Sequence, residues 1–238
     1  MLLVGITSEG ELGENIAKFF DKVIVITSPQ KVLEERPDVV IHTFEIPYLE
    51  ANNNRPLAWN INTWYAINIG RAANKVKAVN VYLSTFMIFD GKKGYYSETS
   101  TPNPINYYGL TKLVGESGIM SLGNYLVIRL GLLYSMQYKG LLFPFIKGIL
   151  RGKRTIKCNS NFYVSPISIN EASEIISLMV KKELRGVVNL GGKRKSLYEV
   201  CKDLGEMFEV EVIPTESKYY DFSLDTWLLN SLGFSVRS

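Results

Sequence analysis

The chain has 238 residues, 46% of them apolar and 21% charged, with a net charge of +4. That length can bury one large core, or one core with a small lobe, and the composition is that of a folded chain rather than a disordered one. The charge is too mild to argue for nucleic acid, and no apolar run reaches the roughly 20 residues that a bilayer span requires. The N-terminal "MLLVGITSEGELG" has neither a basic n-region nor a small-residue cleavage site, so a cytoplasmic protein is expected.

In chain order, "MLLVGI" reads as a buried strand that runs into a glycine-containing turn. "GENIAKFFDK" follows with helical spacing of Ile16, Phe19 and Phe20. "VIVIT" and "DVVIHT" are further apolar runs rich in β-branched residues and without alternation, as strands covered on both faces require. A helix over "NINTWYAINIGRAANKVK", a strand at "VNVYLST", a helix over "NYYGLTKLVGESGIM" and a strand at "YLVIRL" complete the first 130 residues. Beyond Arg129 the spacing predicts helices in "GLLFPFIKGILRGKR" and "NEASEIISLMVKK", a strand at "GVVNL", and a helix over "SLYEVCKDLGEMF". Ser196 and Glu199 give that last helix a capping-box opening.

Strands alternating with helices predict an α/β fold with a Rossmann-like, doubly wound parallel sheet and a small C-terminal substrate lobe. The chain is read as one unit. Residues 1–130 are mainly the dinucleotide-binding core, and 131–238 mainly the lobe, with some elements returning to the core. Ligands of such sheets lie at the carboxyl ends of the strands.

His42 is the only histidine, so histidine-based triads and multi-histidine metal sites have little to work with, and no metal is expected. A hydrogen-bonded residue at a strand end is its expected role. Cys158 and Cys201 form no C-x-x-C motif, and two buried thiols are favoured over a single disulfide.

The chemistry lies in "STFMIFDGKKGYYSETSTPNPINYYGLTK". Tyr108 and Lys112, four apart on a helix, share a face. A phenol with a pKa of about 10 is a poor donor to a developing alkoxide, and a neighbouring ammonium lowers that pKa. Thr85, closing a strand, supplies a hydroxyl to the same carbonyl oxygen. A second Tyr-x-x-x-Lys, Tyr198 to Lys202, lies in a late amphipathic helix with no strand-ending Ser-Thr upstream and is set aside.

In "TSEGELG", Gly10 and Gly13 lie between strand and helix, where backbone N–H groups hold a pyrophosphate. Thr7 occupies the first glycine position, Glu9 and Glu11 bring negative charge, and a plain strand-to-helix turn explains the stretch about as well. The basic run Lys139, Lys147, Arg151, Lys153, Arg154 and Lys157 is most simply a solvated face and receives no role.

Residues 82–116 resemble the central motif of the extended short-chain dehydrogenase/reductases, and within them the dTDP-4-dehydrorhamnose reductase family. The family motif reads S-T-D-Y-V-F-D-G, then N-P-x-x-x-Y-G-x-(T/S)-K-x-x-G-E. The match runs through Ser84, Thr85, Phe89, Asp90, Gly91, Pro104, Tyr108, Gly109, Lys112, Gly115 and Glu116. "RPDVVI", "AWNIN", Arg129 to Tyr134, "VSPIS" and "FSLDTWLLNSLGF" extend the likeness over most of the chain.

The resemblance implies reduction of the keto group of a nucleotide-linked 4-keto-6-deoxy sugar, with NADP(H) or NAD(H) as cofactor. It makes Thr85, Tyr108 and Lys112 catalytic and gives Lys112 a second bond to the cofactor ribose. Thr7, Gly10, Glu11, Leu12, Gly13 and Ser84, with Tyr108 and Lys112, would line the cofactor. The expected partner is a small nucleotide-sugar-like molecule, with a homo-oligomer or a regulatory partner enzyme as the assembly, and neither nucleic acid nor membrane.

Departures fall at specificity positions. Phe86 and Met87 replace the family's Asp and Tyr, and Leu132 replaces its Trp, so the substrate pocket is altered. The family's small N-A-A-A run has become His42-Thr43-Phe44-Glu45, where Phe44 is expected to crowd the cofactor. No acidic residue ends the second strand, and nearby Lys31 favours NADP. Two readings follow: a reductase with a changed pocket, or a non-catalytic subunit such as the β subunit of methionine adenosyltransferase, which resembles this same family.

Overall fold

The computed structural model describes residues 1–138 and 140–237; Lys139 of the basic run lies outside the described residues. β1 (Leu3–Ile6) leads through a turn into α1 (Glu11–Ala17), followed by β2 (Lys22–Val25), α2 (Pro29–Glu35) and β3 (Val39–His42). α3 (Tyr48–Asn53) precedes α4 (Arg55–Ala58), which runs through a π-helical stretch, Trp59–Tyr65, into α5 (Ala66–Lys75). β4 (Val79–Thr85), α6 (Tyr107–Met120) and β5 (Tyr125–Leu130) close the first half.

The second half holds β6 (Leu132–Tyr134), α7 (Phe143–Leu150), β7 (Thr155–Asn159), β8 (Phe162–Val164), β9 (Pro166–Ser168) and α8 (Ile169–Lys181). β10 (Gly186–Leu190), β11 (Lys195–Ser196), α9 (Leu197–Met207), β12 (Glu211–Thr215), β13 (Tyr220–Asp221) and α10 (Trp227–Ser231) follow.

Six strands form a fully parallel sheet in the order β10-β5-β4-β3-β1-β2. Its strands are continuous apolar runs because both faces are covered. Ile41, Val81, Leu83 and Ile128 pack with Ile16 of α1 and Ile176 of α8 on one face. Val40 and Ile26 pack with Ile69 and Ala73 of α5 on the other, and Tyr82 with Ile119 of α6. The strand order reverses between β1 and β3, and such a switch point opens a crevice at the carboxyl edge. The chain after β1, β3 and β4 meets there.

A second cluster joins the ends of β4 and β6 to the C-terminal elements. In it Phe86, Met87, Tyr108 and Leu132 pack with Phe145, Val164, Val200 and Phe222.

Three local expectations need correction. Cys158 and Cys201 are joined as a disulfide between β7 and α9, not kept as two thiols. The helix expected over 140–154 is confined to Phe143–Leu150, because Pro144 suits a first helical turn and Gly152, at φ +72°, cannot continue one. The helix expected from residue 60 begins at Arg55, where the Asn54 side chain caps it by accepting from the Leu57 N–H. The capping box at Ser196 and Glu199 forms as the sequence predicts.

Candidate functional site

The turn after β1 is held by side-chain bonds to the chain after β3. The Phe44 N–H donates to Thr7 Oγ1 at 2.9 Å, the Ser8 N–H donates to Thr43 Oγ1 at 2.9 Å, and that hydroxyl donates to the Ser8 carbonyl at 3.0 Å. Gly13 is there because a Cβ would lie 2.0 Å from the Ser8 carbonyl oxygen. Thr7 is therefore spent on the loop and does not line the cleft, whereas Gly10, Glu11, Leu12 and Gly13 do. Glu9 is exposed. Glu11 faces inward, and its Oε2 is buried without a hydrogen-bond partner among the described residues.

The cleft, of about 380 Å³, runs from this turn past Thr43, Phe44 and Glu45 to Ser84, Thr85 and Tyr108. Phe86, Met87 and Leu132 form its apolar end, each almost fully buried. Asn106 caps α6 by accepting from the Gly109 N–H, which starts the helix one residue before Tyr108. Gly109 lets that turn press on the chain after β4, since a Cβ would sit 2.0 Å from the Met87 carbonyl oxygen. This close approach brings Tyr108 to Thr85.

Tyr108 and Lys112 do share one face, but the centre of the site is Glu45. Its Oε2 receives the Lys112 ammonium at 2.9 Å and the Tyr108 hydroxyl at 3.1 Å, and its Oε1 receives the Tyr138 hydroxyl at 3.2 Å. Lys112 also donates to the Leu83 carbonyl at 2.6 Å and lies 4.7 Å from the centre of the Tyr82 ring. Lys112 is thus buried behind the cleft wall. Phe44 rests edge-on against Tyr65, so the member of the altered loop that reaches the trio is its neighbour.

This changes the electrostatics that the sequence predicts. Burial, and then the charge of Glu45, raise the Tyr108 pKa well above 10, although the Thr85 hydroxyl works the other way. Tyr138 is raised for the same reasons. Burial pulls the Lys112 pKa down, but Glu45 and Tyr82 together outweigh it, so the ammonium stays charged. The expected lowering of Tyr108 by Lys112 is not found, because that positive charge is spent on Glu45.

Two further placements bear on the expected roles. The Ser84 hydroxyl donates to Glu116, which is paired with Arg129 at 2.7 Å, so Ser84 braces β4 against α6 although it also lines the cleft. His42 is bonded through Nε2 to Asn80 at 2.9 Å, and burial lowers its pKa to about 4.

A family model described as the RmlD substrate binding domain matches residues 20–222. The chain belongs to that family. Among curated proteins it is similar to methionine adenosyltransferase 2 subunit beta of Bos taurus, 35% identical over 103 residues. That match covers 42% of this chain and only 27% of the relative's length. Among solved structures, one described as a hypothetical dTDP-4-dehydrorhamnose reductase from Sulfolobus tokodaii has a TM-score of 0.86 at 26% identity, covering 99% of this chain and 96% of that one. The dTDP-4-dehydrorhamnose reductase of Bacillus anthracis, solved in complex with NADP, has a TM-score of 0.87 at 23% identity, covering 99% and 94%. The expected Rossmann-like α/β fold and the family resemblance both hold.

Proposed function

We propose that this protein is a nicotinamide-dependent reductase that takes the keto group of a nucleotide-linked 4-keto-6-deoxy sugar to an alcohol, in a pocket with an unusually apolar end. The observation that carries this reading is the meeting of Thr85 and Tyr108 at the carboxyl edge of the sheet, in the cleft that also reaches the turn at residues 8–13, with Lys112 one helical turn from Tyr108 behind the cleft wall.

The cleft's own residues fit a dinucleotide. The Oε2 of Glu11, without a partner among the described residues, is an acceptor that a ribose hydroxyl would satisfy, and Gly10 to Gly13 would lie along the phosphates. Lys112 would hold the second ribose. No carboxylate ends β2, and Lys31 lies in the first turn of α2, which favours NADPH over NADH. When bound, the reduced nicotinamide supplies hydride.

The protein supplies the rest. Tyr108 keeps its proton, as a general acid must, but burial and the neighbouring Glu45 weaken it as a donor while that carboxylate stays beside it. The Thr85 hydroxyl holds the same oxygen. Phe86, Met87 and Leu132 would leave a fully hydroxylated hexose with unpaired polar groups, so a deoxygenated carbonyl compound suits them better.

One observation favours a second reading, a binding subunit that acts on a partner enzyme: the ion pair between Glu45 and Lys112 occupies the catalytic ammonium. NADPH titration followed by a panel of nucleotide-linked keto-sugars separates the two. A reductase binds NADPH and consumes it, and Tyr108→Phe lowers turnover by about 100-fold or more. Turnover undiminished in Tyr108→Phe dismisses the mechanism, and absent NADPH binding favours the second reading.

A further inference from the structure

We infer that Glu45 is a built-in counter-ion that keeps Tyr108 and Lys112 in a closed, resting arrangement and must be displaced when a cofactor binds. The inference rests on the reductase reading and concerns how its site is switched on.

Both carboxylate oxygens of Glu45 are engaged, by donors from two separate segments. Lys112 and Tyr108 come from α6, and Tyr138 comes from the chain beyond β6, so one side chain ties the two walls of the cleft together. Closed and working arrangements exclude each other. The Tyr108 hydroxyl has one proton, and while it is donated to Glu45 it is not available to a substrate oxygen. The Lys112 ammonium gives one N–H to the Leu83 carbonyl, and on its cleft side it is Glu45 that lines the wall, where a ribose hydroxyl would approach. A carboxylate in that place also opposes an anionic dinucleotide.

The same contact explains why the carboxylate is tolerated in a site it blocks. Lys112 is almost fully buried, and an unpaired buried ammonium is strongly unfavourable. Glu45 neutralises it in the resting protein, and a bound ligand would take over as its partner. The Glu45 side chain is 22% exposed, so it has an edge in the open cleft and somewhere to go. A protein that must first break this arrangement binds with an affinity reduced by the population of the opened form. Removing the carboxylate removes that penalty.

The test is NADPH affinity in the parent protein and in Glu45→Gln, Glu45→Ala and Tyr138→Phe, with the Tyr108 phenol titrated by ultraviolet absorbance against a Tyr108→Phe blank. Glu45→Gln keeps the shape, and circular dichroism checks that each variant is folded. The expected results are at least about tenfold tighter NADPH binding in both Glu45 variants, a smaller gain in Tyr138→Phe, and titration of Tyr108 at lower pH in Glu45→Gln. Unchanged or weaker binding in the Glu45 variants, with a parent protein that binds NADPH, overturns the inference and leaves the reductase reading standing. So does a Tyr108 titration that Glu45→Gln does not move. If neither parent nor variant binds NADPH, the reading and the inference fall together.

Discussion

Two buried ion pairs flank the end of β4, and they differ in the elements that hold them. In the first, Arg129 of β5 places both Nε and Nη2 on Glu116 Oε1 and Nη1 on the Glu98 carbonyl, while Glu116 Oε2 receives the Ser84 hydroxyl. The two charged side chains sit on β5 and α6, neither more than 5% exposed, and Ser84 joins them from β4. In the second, Lys112 is equally fixed on α6, but its carboxylate comes from the loop after β3 and faces the cleft. A charge pair whose members both belong to regular elements and whose polar atoms are all matched acts as a brace. One with a loop-borne member at the cleft wall can exchange that member for a ligand.

Breaking the brace should give the largest effect. Glu116→Leu leaves Arg129 charged and unpaired in the interior, and chemical denaturation should register a loss of about 3–5 kcal/mol. Acid should act next, at the buried His42 at the end of β3. Its pKa falls from 6.5 to about 4 on folding, so the unfolded chain takes up the proton first. Stability therefore drops as pH falls through that window, by about 3 kcal/mol in all, and His42→Gln should flatten this part of the profile. Glu45→Gln should cost least, because its carboxylate is 22% exposed and the amide still offers Lys112 an acceptor, although the buried ammonium loses its counter-charge. If it destabilises as much as Glu116→Leu, the contrast between brace and exchangeable pair is wrong.

The parallel sheet was legible because each of its strands is a short apolar run between helical stretches. Tyr108, Lys112 and Thr85 were legible because a helical repeat and a strand end place them by local rules. Glu45 was not. Its bonds to Tyr108 and Tyr138 span 63 and 93 residues, and no periodic pattern marks such contacts. A signal did exist: where 42–45 replace the small residues of the family loop, the charge of Glu45 is a larger change than the bulk of Phe44. The expectation of two free thiols failed for the same reason: Cys158 and Cys201 are 43 residues apart, and spacing alone does not say which strand meets which helix. Ser84 and Thr7 show the converse. Their positions were right, but each hydroxyl is used inside the scaffold.

The π-helical stretch between α4 and α5 has a kinetic consequence. It presents Asn62 and Thr63 together to α6, where Thr63 donates to the Thr111 carbonyl and Asn62 donates to the Thr111 hydroxyl. Asn62 also grips Ile46, accepting its N–H at 2.7 Å and donating to its carbonyl at 3.1 Å. With Thr43 and Phe44 tied to the turn after β1, the main chain is anchored on both sides of residue 45. Release of its carboxylate is then a torsional swing of one side chain and not a loop rearrangement. Motions of that kind take nanoseconds or less when unhindered, whereas segments that reorganise take microseconds or longer. Opening would add a free-energy threshold to cofactor uptake without adding a slow step to the catalytic cycle.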